Sequence, residues 1–290
     1  MHISVLGSEV ITYLKPVSGG IYVDGTLGLG GHAQQILEAS SPAGRLIGLE
    51  WDGQALALAR ERLAPFGDRV LAVRSNYADL CSVLQAEGVE QVNGLLLDLG
   101  VSSLQLDVAE RGFSFQADAP LDMRMDTRLS TTAAQLVAKL SGEELADIFY
   151  NYGEERQSRR IAAHIVQARE KGRVDTTAKL AALVASAIPR KYHPKKKHVA
   201  TRVFQALRIA VNREFDNLVR VLDEAPSVLV AGARVCVITF HSIEDRIVKQ
   251  IFSANSGYRI VTGKPVSPSE NEVSANPRAR SAKLRVAERV

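Results

Sequence analysis

Cysteine is scarce: Cys81 and Cys236 are the only two in 290 residues. They stand far apart in apolar segments, which excludes a disulfide framework and suits buried thiols in a reducing compartment. Metal-ligand spacing is missing too, so no metal is expected. No apolar run approaches the length of a membrane span, and Met1-His-Ile-Ser-Val-Leu6 lacks the basic start and long apolar stretch of a secretory leader. A cytoplasmic protein with no membrane partner is expected. Charge of one sign is not in large excess. The net value is +4 with a pI near 9.1, so the basic residues matter through where they are placed. What is present is globular: 46% hydrophobic and 23% charged residues, enough for one large domain or two ordinary ones. No internal repeat is visible, and the oligomeric state is not legible.

The first hundred residues alternate short apolar strands with amphipathic helices. Strands are expected at 20–24, 45–50, 70–73 and 93–99, with helices opening near Gly31 and at 54–63 and 79–86 between them. That rhythm argues for right-handed βαβ units and a parallel sheet. From about 104 to 201 no strand pattern appears, only helical periodicity at 132–139, 143–150, 154–170 and 178–188. A helix over 204–229 then precedes a strand at 233–240, and 258–261 with 282–287 suit a closing antiparallel pair. Residues 263–280, rich in Pro, Ser, Asn and Arg, read as a mobile loop. The expected architecture is an α/β sheet interrupted by an all-helical domain, with boundaries at 1–103, 104–201 and 202–290.

The nucleotide fingerprint Gly-x-Gly-x-x-Gly is also missing. Asp24-Gly-Thr-Leu-Gly-Leu-Gly-Gly-His32 runs from a strand through a glycine turn into a helix, but with different spacing, which weakens a nicotinamide-cofactor reading. Glu50 ends the next strand, where an acid can take two ribose hydroxyls. Asp52 suits the cap of the helix from Gln54. Tyr77 suits stacking on an adenine or a place in the core. Acidic strand ends at Asp24, Glu50 and Asp98 suit a nucleoside carrying a cationic sulfonium, S-adenosylmethionine, better than a pyrophosphate. Asp98 stands where ligands of open α/β sheets gather. The loop after it mixes Phe113, Phe115, Met123 and Met125 with Asp122, Arg124 and Asp126. Such a loop reads either as part of an active site or as a buried loop stapled by Asp–Arg pairs.

Several long segments carry a resemblance. They are the glycine turn at 24–32, Asp98-Leu-Gly-Val-Ser-Ser103, Glu110-Arg-Gly-Phe-Ser-Phe115, Pro120-Leu-Asp-Met-Arg-Met-Asp126 and Tyr152-Gly-Glu-Glu-Arg156. Ala200-Thr-Arg-Val-Phe-Gln-Ala-Leu-Arg-Ile209, Phe240-His-Ser-Ile-Glu-Asp-Arg-Ile-Val-Lys249 and Asn276-Pro-Arg-Ala-Arg-Ser-Ala-Lys-Leu-Arg285 complete the set. In order, and over almost the whole chain, they resemble the bacterial 16S ribosomal RNA cytosine-N4 methyltransferases, the MraW-like family. The resemblance implies a Rossmann-like S-adenosylmethionine-dependent methyltransferase sheet with an inserted helical substrate-recognition domain. It implies action on the exocyclic amine of one cytidine in the decoding centre, within an assembled or nearly assembled small subunit. By matching motif positions, Gly30, Gly31, His32, Glu50, Tyr77, Asp98 and Gln105 would contact the cofactor. The family usually has Asp where Glu50 stands and often Phe where Tyr77 stands, and the stretch before the tail is shorter than in some relatives.

Many amino-directed methyltransferases carry Asp/Asn-Pro-Pro-Tyr, which is absent here. Asp98 is therefore the expected acceptor for the target amine, helped by Asp122 or Asp126, with His241 completing the pocket. The competing reading makes Asp122 and Asp126 ion-pair staples and His241 a turn-fixing group. The target base must leave its stack, and Phe113 and Phe115 suit either stacking platforms or core. The segment Arg190-Lys-Tyr-His-Pro-Lys-Lys-Lys-His198 offers Arg190, Lys195, Lys196 and Lys197, and Arg202 and Arg208 follow; together they form the expected RNA-phosphate surface, with Arg278, Arg280, Lys283 and Arg285 as expected additions. A nicotinamide oxidoreductase with a helical lid and a non-catalytic RNA-binding factor are the alternatives.

Overall fold

The computed structural model describes residues 4–195 and 197–290. The chain divides into two compact units, one of Met1–Gly100 with Phe215–Val290 and one of Val101–Glu214.

The first unit begins with α1 (Gly7–Leu14) and continues through β1 (Ile21–Asp24), α2 (Gly31–Ala39), β2 (Arg45–Leu49), α3 (Gly53–Leu63), β3 (Val70–Val73), α4 (Leu80–Ala86) and β4 (Val92–Asp98). β1 pairs in parallel with β2 on one side and β4 on the other, and β2 pairs in parallel with β3. Both faces of the sheet are covered, so its strands can be apolar without alternation. Successive residues of β4 still serve opposite faces, because side chains alternate along a strand: Leu95 and Leu97 join one core cluster and Leu96 the other.

The second unit holds α5 (Ser103–Asp107), α6 (Ala133–Lys139), α7 (Gly142–Gly153), α8 (Ser158–Arg169), α9 (Thr177–Ala187) and α10 (Thr201–Asn212). No strand occurs in it among the described residues; the isolated bridge Pro120–Thr176 is its only β pairing there. Capping boxes start α6 at Thr132 with Gln135 and α7 at Ser141 with Glu144, each satisfying two otherwise free N–H groups. The unit runs on to Glu214, past the boundary at 201 expected from the sequence. α10 packs on α7 and α6, and buried Asn212 fixes its end. The Asn212 amide donates to Met123 O and Arg208 O and accepts from Met125 N.

That anchor also explains why the helix expected over 204–229 is broken. Arg213 adopts the left-handed conformation with φ 51°, and α11 (Glu214–Glu224) starts anew. A short 3-10 turn at 225–228 then leads into β5 (Leu229–Thr239), four residues earlier than the expected strand and across a bulge opposite Val92 and Gly94. α12 (Ser242–Ala254), β6 (Tyr258–Ile260), α13 (Glu270–Ala275) and β7 (Lys283–Arg289) complete the first unit. The sheet order is β3-β2-β1-β4-β5-β7-β6, with β7 antiparallel to both neighbours. The closing antiparallel pair is as expected.

Residues 263–280 are not an unstructured loop. Val266 bridges Leu284, Ala279 is fully buried, and Glu272 Oε1 on α13 accepts from Leu6 N at 2.6 Å. The polar composition concealed these anchors because their partners lie far away in sequence.

Candidate functional site

The order of the sheet reverses between β1 and β4, since β2 and β3 extend to one side of β1 and β4 lies on the other. In open α/β sheets the crevice at such a point, beyond the carboxyl ends of the strands, is where ligands bind. Asp24 ends β1, Glu50 follows β2, and Asp98 ends β4. Between β1 and α2 the chain turns through Gly30, whose φ of 78° makes it the left-handed cap of α2 without a side-chain hydrogen bond. Only glycine adopts that conformation at little cost, and the first N–H groups of the helix stay free of intrahelical partners.

Asp24 and His32, with relative exposures of 1% and 7%, form a cluster with the partly buried Asp98. His32 Nε2 lies 3.6 Å from Asp98 Oδ2. Thr26 serves both strand ends: its N–H donates to Asp24 Oδ1 at 3.1 Å, and its Oγ1 accepts from Asp98 N at 2.6 Å. Asp24 Oδ2, both His32 ring nitrogens and Asp98 Oδ1 are buried without a hydrogen-bond partner among the described residues. Polar atoms in such surroundings are normally satisfied, and exceptions concentrate where a ligand or chemistry completes them. Burial pushes Asp24 up to about 6 against the attraction of His32. Burial alone would lower His32, but Asp98, then Asp24, then Glu272 from α13 outweigh it, and the imidazole is raised above its ordinary value.

Glu50 is held at both oxygens by backbone: Oε2 accepts from Gly28 N at 2.8 Å and Oε1 from Asp52 N at 2.9 Å. Each oxygen keeps a second lone pair for a ligand. Burial dominates and pushes its carboxyl up to about 8. Asp52 caps α3 by accepting from Gln54 N at 3.0 Å. Tyr77 is buried, with its ring centroid 6.0 Å from that of Trp51.

The remaining candidates fare differently. Gln105, in the second unit, closes a capping box with Ser102 at the start of α5. Asp122 makes a two-pronged contact with Arg124 at 2.8 and 2.7 Å, and Asp126 contacts Arg128 from both oxygens. Half-burial would raise the Asp122 carboxyl, but the Arg124 contacts hold it below the usual range. His241 is the N-cap of α12: its Nδ1 accepts from Glu244 N, and its Nε2 lies 2.9 Å from Glu244 Oε1. Asp122 and Asp126 thus pair with arginines and His241 caps α12, while His241 Nε2 makes no hydrogen bond among the described residues.

Arg190, Lys195 and Lys197 are exposed, whereas Lys196 lies outside the described residues. Arg202 is exposed and donates to Glu154 O. Arg208 has little exposure and pairs with Glu214 through contacts at 2.8 and 2.9 Å. Arg285 and Lys283 are likewise held by Asp245. Phe113 is buried, and Phe115 packs against His198 and Phe204 with ring centroids 4.7 and 4.8 Å away. Sequence reasoning missed Thr26 and Glu272. For Thr26 a signal existed, two residues past the strand-end acid; for Glu272 there was none.

The site fits the sulfonium nucleoside that the resemblance implies. Buried acceptors without partners at Asp24 and Asp98 suit a cation, Glu50 offers two fixed oxygens, and so many carboxylates would repel a pyrophosphate.

Comparison with known sequences agrees. The profile described as MraW methylase family matches residues 1–290. The chain is 54% identical over 290 residues to a ribosomal RNA small subunit methyltransferase H of Desulfotalea psychrophila, covering 100% of this chain and 98% of that one. It is 52% identical over 307 residues to the protein of that name from Geobacter sulfurreducens, covering 100% and 99%. Among solved structures, PH0851 superposes with a TM-score of 0.50 at 11% identity, covering 100% of this chain and 46% of that one, a likeness of fold alone.

Proposed function

The chain belongs to the MraW methylase family, whose members use S-adenosylmethionine on small-subunit ribosomal RNA, and from that premise we propose that it methylates the N4 amine of a cytidine in the decoding centre. The substrate on this reading is an assembled or nearly assembled small subunit. The observation that carries the chemistry is Asp98, a strand-end carboxylate with one oxygen buried and unpartnered.

When bound, the cofactor supplies an electrophilic methyl group. Glu50 would hold the ribose hydroxyls, Tyr77 would pack against the adenine, and Gly30, Gly31 and His32 would offer main-chain groups at the start of α2. By the family resemblance Gln105 would also contact the cofactor, and Asp98 would add a carboxylate. A cytosine amine is a poor nucleophile because its lone pair is delocalised into the ring. By accepting an N–H bond, Asp98 orients the amine and makes that lone pair available. The base leaves its stack to arrive there, and Arg190, Lys195, Lys196, Lys197 and Arg202 track the backbone.

The test is methyl transfer from labelled cofactor to small subunits of a strain lacking this gene, followed by nucleoside mass spectrometry. N4-methylcytidine is the expected product. A different methylated nucleoside, or none despite cofactor binding, would reject the assignment. Replacing Arg190, Lys195 and Lys197 together by alanine should weaken binding to subunits at every salt concentration and flatten the salt dependence by about two to three log units per log unit. An unchanged slope would remove that segment from the interface.

Glu50 predicts a pH dependence. Its carboxyl titrates near 8 in the free protein, and ribose hydroxyls donate to the ionised form, so binding must expel a proton below that pH. Cofactor affinity should fall by up to about tenfold per pH unit from pH 8 downwards, and calorimetry near neutrality should give an enthalpy that depends on the buffer. Stability runs the opposite way. The folded value lies above the ordinary 4.5, so Glu50's contribution is present at low pH and lost as pH rises towards 8. Glu50→Gln should bind cofactor about 10–100-fold more weakly while removing that pH-dependent loss of stability. Affinity that is flat from pH 6 to 8 would contradict the assignment.

A further inference from the structure

His32 stands eight residues past Asp24 in sequence, in the first turn of α2. Its exposure is 7%, and Nε2 lies 3.6 Å from Asp98 Oδ2 while Oδ1 of the same carboxylate is buried without a partner. The ring is faced by Asp24 from β1, Asp98 from β4 and Glu272 from α13. The cation on neighbouring α3, Arg62, donates to Leu29 O in the glycine turn. Neither ring nitrogen makes a hydrogen bond among the described residues, and Nε2 stands within ion-pair distance of Asp98, so a protonated ring has a donor to offer that carboxylate. The fully buried Asp24 and the partly buried Asp98, with a third acid beyond them, also favour a compensating positive charge.

We infer that His32 is a positioning residue for methyl transfer: as an imidazolium it pairs with one oxygen of Asp98 and leaves the other oxygen to receive the target amine. The inference rests on the proposed reaction and assigns the His32 side chain a task separate from the main-chain contact with cofactor. No covalent step is added. The direction of the His32 titration, raised against the effect of burial, agrees with the geometry.

The decisive measurement is nuclear magnetic resonance of 15N-histidine-labelled protein without cofactor or RNA, with His32 assigned by its loss in His32→Gln. An imidazolium near pH 7 is expected in the wild type, with titration at least one pH unit lower in Asp98→Asn. A neutral ring near pH 7, or titration unmoved in Asp98→Asn, overturns the inference whatever the enzyme acts on. Single-turnover methyl transfer to unmethylated small subunits at saturating cofactor supplies the second readout. The rate in His32→Gln should fall about tenfold near pH 6.5 and recover to within about threefold near pH 8.5, shifting the acid limb upward. A drop that is uniform across pH overturns the charge role and leaves only a structural one. If wild type transfers no methyl group to subunits, the proposed reaction fails, and the resonance result still decides the pairing.

Discussion

Asp98→Asn should lower the single-turnover rate of methyl transfer by about 10²–10⁴-fold, the range expected when a positioned proton acceptor is lost. The substitution keeps the shape of the side chain and leaves the Asp98 N–H bonded to Thr26 Oγ1, so β4 and its pairing with β1 and β5 persist. The thermal midpoint should therefore change little. Removing one of two neighbouring buried carboxylates also relieves the repulsion that helps to raise Asp24. Rates measured at saturating cofactor separate this effect from weaker cofactor binding. By contrast, Asp122→Asn and Asp126→Asn should act through stability, because each breaks contacts with an arginine two residues away. If Asp98→Asn retained more than about a tenth of the rate while Asp122→Asn abolished it at unchanged stability, the assignment would be reversed.

The largest effect on folding is expected at Gly112. It closes a 3-10 turn with φ of 71°, and a Cβ there would lie 2.4 Å from Pro120 O and 2.7 Å from Asp122 N. Neither backbone atom can swing aside as a side chain would. This part of the chain is also fixed by Met123 N donating to Arg111 O and by Arg111 Nη2 donating to Arg124 O and Met125 O. Gly112→Ala combines the left-handed penalty of about 1–2 kcal/mol with a displacement of packed backbone costing about 1–3 kcal/mol. Gly88 provides the control, since its φ of 65° is similar and a Cβ there would meet nothing within 4 Å. Denaturant titrations should show a loss of about 1 kcal/mol for Gly88→Ala and clearly more for Gly112→Ala. Equal losses would show that left-handed strain alone is at work and that the loop yields.

Much of the fold was legible because strand and helix signals are local. The alternation at 20–99 reports apolar periodicity, and the capping boxes at Thr132 and Ser141 follow from residues three apart. The strand-end acids were legible for the same reason, since a carboxylate that closes an apolar run marks the carboxyl edge of a parallel sheet. The sequence alone thus determined the α/β class, the helical insertion and the edge at which chemistry is placed. Tertiary structure decided which polar residues are available there. Asp122 and His241 look as promising as Asp98 in one dimension, but in the fold Asp122 pairs with Arg124 and His241 caps α12 beside Glu244. Asn212 ends a helix that periodicity would have continued, because its partners Met123 and Met125 lie nearly ninety residues earlier, at separations of 89 and 87. Glu272 secures an apparently loose segment through Leu6, 266 positions away. Asp24, His32 and Asp98 become one cluster only when β4 is laid beside β1. Periodicity records how each segment buries its apolar face, whereas the satisfaction of a polar group depends on partners that only the folded chain brings within a few ångströms.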